Sequence, residues 1–365
     1  MRKVAFLVLA VSSLALAAQI EVNGSISADY GTYWDKDFDP TNAANQDIDL
    51  SVTAYMDEAF SVTVSANTHS NYVSKDGLEP SRVRDELRAA PISDLDNRYT
   101  AFDFKGILLR WEFTPGVAAL FGDLTYSAGS FSYYFWRDPK YFAVILREQT
   151  IRGIGFELGD GRVYVGPTEY NNSSLATFAS YPFELLGKTE ERLTITPSID
   201  WIWGKHIGRS YTYALGVEAQ YAKSIGDLSY GVTGTWGMHP YKGDGVHTFL
   251  AEPSFNYKFF NLALTYYRAL LADDNAPVEK QTFTDEQMLI YVEPSFNLHK
   301  KFTLGAFYEL HEPNINVSDD KRHVVGPSLY FYPTAKAELV FWGGYNIRDT
   351  GANNVSMGIS GQVDF

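Results

Sequence analysis

The chain has 365 residues with no Cys and 15% aromatics, and its 44 acidic against 30 basic residues leave a formal charge of −14. So many aromatic side chains exclude intrinsic disorder. The lack of Cys excludes disulfides, thiolate zinc sites, a cysteine nucleophile and a cysteine-linked lipid anchor, and the acidic balance argues against nucleic-acid partners.

Arg2 and Lys3 form a short basic head, Val4 to Val11 is apolar, and Leu14 and Leu16 extend that stretch. Ala15-Leu16-Ala17 then sets small residues where a signal peptidase reads. This predicts a secretory signal peptide over residues 1–18 and a single domain over 19–365. The apolar stretch is shorter than the roughly 20 residues of a membrane-spanning helix, and no longer one follows. A mature chain inside a membrane would therefore cross it as strands.

From residue 19 onward the pattern has period two, which is the mark of strands with unlike faces. Ile20, Val22, Ile26, Ala28 and Tyr30 oppose Glu21, Asn23, Ser25, Ser27 and Asp29. Ile48, Leu50, Val52 and Ala54 oppose Asp47, Asp49, Ser51 and Thr53. Tyr211 to Tyr221 and Leu228 to Trp236 alternate in the same way and are joined by a short link, so they read as a hairpin. Phe260 to Tyr266 and Phe302 to Leu310 repeat the pattern. Strand starts are expected at 19, 46, 59, 98, 117, 150, 162, 192, 211, 227, 246, 260, 286, 302, 322, 336 and 353.

Single-chain bacterial barrels have even strand counts, so this odd set calls for one change. In Arg98 to Phe113 the apolar phase switches from Phe102 and Phe104 to Ile107, Leu109, Trp111 and Phe113. Lys105-Gly106 is then either a bulge or a turn, and the turn would give about eighteen strands. A merger between 142 and 168 would give about sixteen. The expected fold is all-β, a single antiparallel transmembrane β-barrel of about 16 strands, with 14 and 18 as alternatives.

Three features favour such a barrel over a soluble sandwich. Trp201, Trp203, Phe259, Phe260, Tyr266, Tyr267, Tyr330, Phe331, Tyr332, Phe341, Trp342 and Tyr345 lie near strand ends, where amphipathic rings form girdles. The polar faces are small and acidic, with hardly any Lys. Finally, Val355, Met357, Ile359, Val363 and Phe365 share the apolar face of the last strand. That ending resembles the closing strand of bacterial outer-membrane barrels, and the resemblance makes Phe365 part of the signal read by the barrel assembly machinery.

Over the mature length the chain resembles Gram-negative outer-membrane porins, in architecture rather than in any residue signature. The resemblance implies a place in the cell outer membrane, surrounded by lipid, and the passage of small solutes. It leaves the oligomeric state open, a homotrimer included. Pro197-Ser198, Pro253-Ser254, Pro294-Ser295 and Pro327-Ser328 form a repeated signature, each followed by an apolar residue. It reads as a repeated hairpin device, with Pro where the ladder needs no N–H.

Candidate functional residues lie on the polar faces and in two long loops. Asp47, Asp49, Asp123, Asp200, Glu218, Glu252, Glu293, Glu309 and Glu338 are expected to line the lumen and to favour cations. Arg82, Arg84 and Arg88, in a loop over 70–97, could oppose them across a constriction. The loop over 128–149 carries Tyr133, Tyr134, Trp136 and Arg137, and its position matches the loop that narrows general porins. No His pair has metal-ligand spacing, and adjacent His69-Ser70 would point to opposite strand faces. No catalytic residue, metal or cofactor is therefore expected. A passive porin with a mild cation preference is the leading expectation. The alternative is a non-conducting surface barrel serving as adhesin, scaffold or envelope anchor.

Overall fold

The computed structural model describes residues 19–34, 40–73, 98–126, 149–168, 171–204, 213–241, 244–271, 286–312, 315, 321–349 and 353–365. The expected signal peptide and much of both long loops lie outside them. The described residues form one antiparallel sheet of 19 strands. These are β1 (Gln19–Trp34), β2 (Pro40–Tyr55), β3 (Phe60–Val73), β4 (Arg98–Thr114), β5 (Val117–Tyr126), β6 (Gln149–Leu158), β7 (Gly161–Thr168), β8 (Asn171–Ser180), β9 (Phe183–Lys188) and β10 (Glu191–Gly204). They continue as β11 (Tyr213–Ile225), β12 (Leu228–Tyr241), β13 (Asp244–Tyr257), β14 (Phe260–Leu271), β15 (Gln287–His299), β16 (Phe302–Glu312), β17 (Arg322–Thr334), β18 (Ala337–Arg348) and β19 (Asn354–Asp364).

The sheet closes on itself. β19 returns to β1 with Asp364 opposite Ser25 and Val355 opposite Trp34. Phe365 finishes the seam, its N–H donating to the Gly24 carbonyl at 3.0 Å while the Gly24 N–H donates back at 3.3 Å. Closure leaves no long open edge there, which is what a sheet in hydrocarbon requires.

β8 and β9 both pair with β10, Ser180 opposite Ser198 and Phe183 opposite Ile195. They run the same way along one edge, so they are one barrel strand broken at Tyr181-Pro182. The barrel therefore has 19 − 1 = 18 strands, which corrects the expected sixteen. The strand missing from the expected set is β8 with β9. Its alternation is blurred because Phe178 and Ala176 are buried on the inward face while Leu175 is exposed on the outward one.

Lys105-Gly106 is a bulge rather than a turn. Gly106 pairs with Ser65 and Phe104 with Ala66, which leaves Lys105 as an extra residue. Gly106 sits at φ 140°, a conformation that favours glycine. The extra residue resets the phase by one, so Phe104 and Ile107 both face outward and are exposed.

Short turns gather at one end of the barrel, at residues 115–116, 159–160, 189–190, 226–227, 258–259, 300–301 and 335–336, with a four-residue one at 56–59. The long connections, 74–97 and 127–148 among them, leave from the other end. In barrels of this kind the short turns face the periplasm.

The outward face is apolar from seam to seam. Ile154, Phe156 and Leu158 on β6, Phe249 and Phe255 on β13, Phe296 and Leu298 on β15, and Met357 and Val363 on β19 are all exposed. Facing water, such a band would cost roughly 25 cal/mol for each Å²; facing lipid, it costs nothing. Trp201, Trp203, Phe259, Tyr266, Phe341 and Tyr345 belong to this face and are exposed. Tyr267, Tyr330, Tyr332 and Trp342 do not, which corrects the expected girdle. In a run of adjacent aromatics, period two sends neighbours to opposite faces.

The Pro-Ser repeats follow one rule. Pro197, Pro253, Pro294 and Pro327 take the outward phase, and Ser198 and Ser328 are buried on the inward one. The β13–β14 pairing skips from Ala251–Tyr266 to Ser254–Ala263. β15–β16 skips from Val292–Tyr308 to Ser295–Gly305, and β17–β18 from Val325–Tyr345 to Ser328–Trp342. The register is kept across each gap, so these prolines sit in openings of the ladder rather than at bulges.

If the bulge depends on the glycine conformation, Gly106→Ala should cost about 1–3 kcal/mol of barrel stability. The check is the urea midpoint of the refolded protein followed by tryptophan fluorescence, with an unchanged midpoint counting against the reading.

Candidate functional site

Residues directly opposite each other share a face of the sheet, so the register sorts the lumen wall from the lipid wall. The inward face divides into three arcs of different character.

The first is wet and acidic. Glu21, Asp29, Asp47 and Asp49 face inward on β1 and β2, opposite small polar residues. Tyr55 Oη donates to Glu21 Oε2 at 2.9 Å and Asn23 Nδ2 to Glu21 Oε1 at 3.0 Å. Asn67 Nδ2 donates to Asp49 Oδ1 at 2.8 Å. Ser51 and Ser65 share a hydroxyl contact of 2.7 Å, and Thr53 and Thr63 one of 2.9 Å. Glu21 and Asp49 are exposed although they belong to the inner wall.

The second arc carries arginine. Glu112 and Glu157 flank Ala118 of β5 in register. The alanine leaves a low floor over which Arg110 reaches both carboxylates. Its Nη1 lies 2.7 Å from Glu112 Oε2 and its Nε 3.0 Å from Glu157 Oε2. Arg162 sits opposite Glu157 and is exposed, and Arg192 takes the inward phase of β10. Reading the sequence missed these three arginines. The available signal was their place on the polar phase, between outward residues such as Leu109 and Trp111.

The third arc is dry. Leu120, Leu124, Ile151, Tyr164, Phe178 and Leu289 are buried on the inward face and belong to one apolar cluster. Tyr126 and Phe178 stack within it at 4.1 Å. The polar faces expected to line the lumen therefore do not account for this part of the inner wall. The continuous apolar run Val117 to Phe121 is where period two fails, because both faces are apolar there.

Several of the other expected carboxylates are buried or half-buried on the inward face. Asp200 and Glu309 are fully buried, and Glu218 is buried and accepts a hydrogen bond from Gln220 Nε2 at 2.8 Å. Glu252 is half-buried on β13. Glu293, 8% exposed, is the best defined. It accepts from Tyr291 Oη at 2.7 Å, from Ser328 Oγ at 2.5 Å and from Tyr330 Oη at 2.7 Å. Gly305 makes this possible, because a Cβ there would lie 2.8 Å from Glu293 Oε1 and against Ser328 Oγ. The missing side chain lets β15 and β17 meet across β16. Glu338 is half-buried nearby, bonded to Tyr332.

Asp123 departs from the expected lumen set. It lies on the outward phase with Phe121 and Thr125, opposite Arg152. Its Oδ2 accepts the Ile107 N–H at 3.0 Å, and Arg152 Nε lies 2.6 Å from Oδ1. Asp123 therefore ties down the β4 bulge from the lipid side. Arg82, Arg84, Arg88, Tyr133, Tyr134, Trp136 and Arg137 lie outside the described residues. Among the described residues no three His, Asp or Glu side chains converge as metal ligands.

No protein-family model matches the sequence, and a search of curated proteins finds no match either. Solved structures do match. OpdK of Pseudomonas aeruginosa, solved with vanillate, aligns with a TM-score of 0.57 at 11% identity, over 95% of this chain and 98% of that one. OccK9 (OpdG) of the same organism aligns at 0.57 and 10% identity, over 95% and 99%. A BenF-like porin from Pseudomonas fluorescens aligns at 0.53 and 9% identity, over 95% and 99%.

At these identities the likeness is one of fold. Removing the Glu293 carboxylate should leave three hydroxyls without their acceptor, so Glu293→Ala should cost about 1–3 kcal/mol. The check is the temperature at which the compact band disappears on an unboiled gel, which should fall. Taken together, the closed ladder, the apolar outer band and these matches give the chain the fold of an outer-membrane β-barrel, the fold those porins share.

Proposed function

We propose that the chain is a passive channel of the outer membrane, passing small hydrophilic solutes with a mild preference for cations. The observation that carries this reading is the wet inner arc on β1 and β2. There Glu21 and Asp49 are exposed inside a closed barrel whose outside is apolar. A carboxylate-lined aqueous path raises the local concentration of cations and lowers that of anions. The inward carboxylates described above outnumber the inward arginines, which supports the sign. The arginine arc works against it, and for that reason the preference is mild. No catalytic step is assigned to any residue. Phe365, which completes the seam, serves as the signal for the assembly machinery in this reading.

One observation favours a second reading, a non-conducting surface barrel acting as adhesin, scaffold or envelope anchor. The dry apolar arc means that part of the inner wall does not meet water. A lumen filled on that side and narrow on the other would carry no current.

The experiment that separates them is conductance of the refolded barrel in a planar bilayer under a salt gradient. Stepwise openings with a cation-selective reversal potential are expected. A folded barrel without steps would favour the second reading. The triple variant Glu21→Gln, Asp47→Asn, Asp49→Asn should move the reversal potential toward zero, with stepwise openings retained.

A further inference from the structure

At the turn end the barrel wall has a notch between β7 and β9. The pairing of β7 with β8 stops with Arg162 opposite Ser180. The chain breaks at Tyr181-Pro182 and continues as β9, which pairs with β10 from Phe183–Ile195 to Lys188–Glu191. Among the described residues nothing pairs with the other edge of β9. Gly161, the first residue of β7, falls opposite Tyr181, so the step runs from Tyr181 to Lys188. Other steps at this end are shorter: β4 passes β3 from Trp111 to Thr114, and β17 passes β16 from Phe331 to Thr334. At the seam, β1 passes Phe365 from Asn23 to Gln19.

The notch is apolar. Leu158, Tyr181, Phe183 and Leu185 are 53%, 50%, 50% and 58% exposed. A hollow of about 380 Å³ lies among Leu158, Val163, Tyr181, Phe183, Pro197 and Ile199. The Tyr181 ring rests on Gly161, where any Cβ would strike it. Leu185 is bulged, with Leu186 opposite Leu193 and Glu184 opposite Thr194. Proteins blunt open edges with charges, prolines and bulges. Here the bulged residue is itself apolar, so the bulge presents an apolar side chain instead of a guard.

The chemistry of the edge selects its occupant. Acyl chains would cover the apolar side chains of this edge but offer its backbone N–H and C=O groups neither donor nor acceptor, and water would bond the backbone but leave the apolar side chains exposed. An extended peptide that adds as a strand does both. A second copy does not fit. Its own β9 continues as β8, along the line that β7 already occupies above the notch. Only a short strand arriving from the periplasmic side can lie beneath the β6–β7 turn.

We propose that the β9 edge, Phe183–Lys188, is a docking strand for an extended segment of a periplasmic partner whose alternate residues are apolar. The segment would extend the ladder from β10 through β9 and set every second side chain beside Leu158, Tyr181 and Phe183. This goes beyond the channel reading and does not depend on it.

The test uses the full chain refolded in lipid nanodiscs and a labelled heptapeptide alternating valine and threonine. A second heptapeptide has the same side chains but methyl groups on alternate backbone nitrogens. The plain peptide should bind and slow amide exchange across 183–188, leaving 19–23 unchanged. The methylated peptide, and the plain peptide on Leu185→Lys, should bind at least about tenfold more weakly. Conductance of Leu185→Lys should match the parent. Equal binding of the methylated peptide would overturn the proposal, since contact would then be through side chains alone. Unchanged exchange across 183–188 would overturn it as well, leaving the edge to water. Protection before any peptide is added would show that the edge is already filled, by a second copy if the mass doubles or by this chain if it does not, and either result overturns the proposal.

Discussion

Inside hydrocarbon a backbone N–H or C=O has no water to bond to, so each must find a partner within the protein. That single requirement organises this molecule. It forces the strands into one ladder and forces the ladder to close from β19 to β1. Closure in turn makes the chain's last residue structural, because Phe365 supplies the final pair with Gly24. The departures from the ladder are correspondingly local. The β4 bulge is secured by the Asp123 carboxylate on the Ile107 N–H. The gaps beside Pro253, Pro294 and Pro327 keep their register. At these three places a residue that cannot donate is tolerated because the ladder resumes unshifted on both sides.

The same requirement explains which parts of the fold can be read from sequence. Where one face meets lipid and the other meets water, alternation is strict and legible, as from Ile20 to Tyr30 against Glu21 to Asp29. Where the inner wall is dry, the contrast disappears. Phe178 points inward and Leu175 outward, and the strand that carries both is nearly invisible in the pattern. Adjacent aromatics mislead for a related reason. Tyr266 and Tyr267 look alike as letters, yet one meets lipid and the other is fully buried. Asp123 misleads in the opposite way: its charge suggests the lumen, whereas it works on the outer face as a partner for a bulge and for Arg152.

The lumen wall was legible residue by residue but not as an assembly. Each inward carboxylate can be placed from its own strand's phase. What surrounds it cannot, because its neighbours come from other strands. Glu293 shows this most clearly. Its donors Tyr291, Ser328 and Tyr330 sit on β15 and β17, and they meet only because Gly305 leaves β16 flat between them. No spacing within one strand encodes that meeting. The contrast with Glu21 follows from burial. Glu21 is held by Asn23 and Tyr55 in an exposed setting, open to solvent. Glu293 is shielded by hydroxyls and contributes to wall cohesion more than to the field in the lumen.

Closing a sheet into a barrel also requires shear, so strand ends must step along the rim. A barrel can spread that stagger evenly or take much of it in one place. This one takes a large share between β7 and β9, where Pro182 lies in the break between β8 and β9. Away from that place the rim steps by two or three residues at β4, β11 and β17 and by the five residues Asn23 to Gln19 at the seam. Concentrating the step has a cost that even spreading avoids, an edge whose backbone groups have no neighbouring strand among the described residues. Phe183 and Leu186 lie opposite Ile195 and Leu193 on the outward face, where lipid accounts for them, but the bulged Leu185 stands outside that alternation, and Lys or Glu there would close the ladder equally well and resist unwanted pairing. The apolar bulge at Leu185, 58% exposed, is thus a feature that neither closure nor lipid on the outward face explains, and it lies at the short-turn end of the barrel.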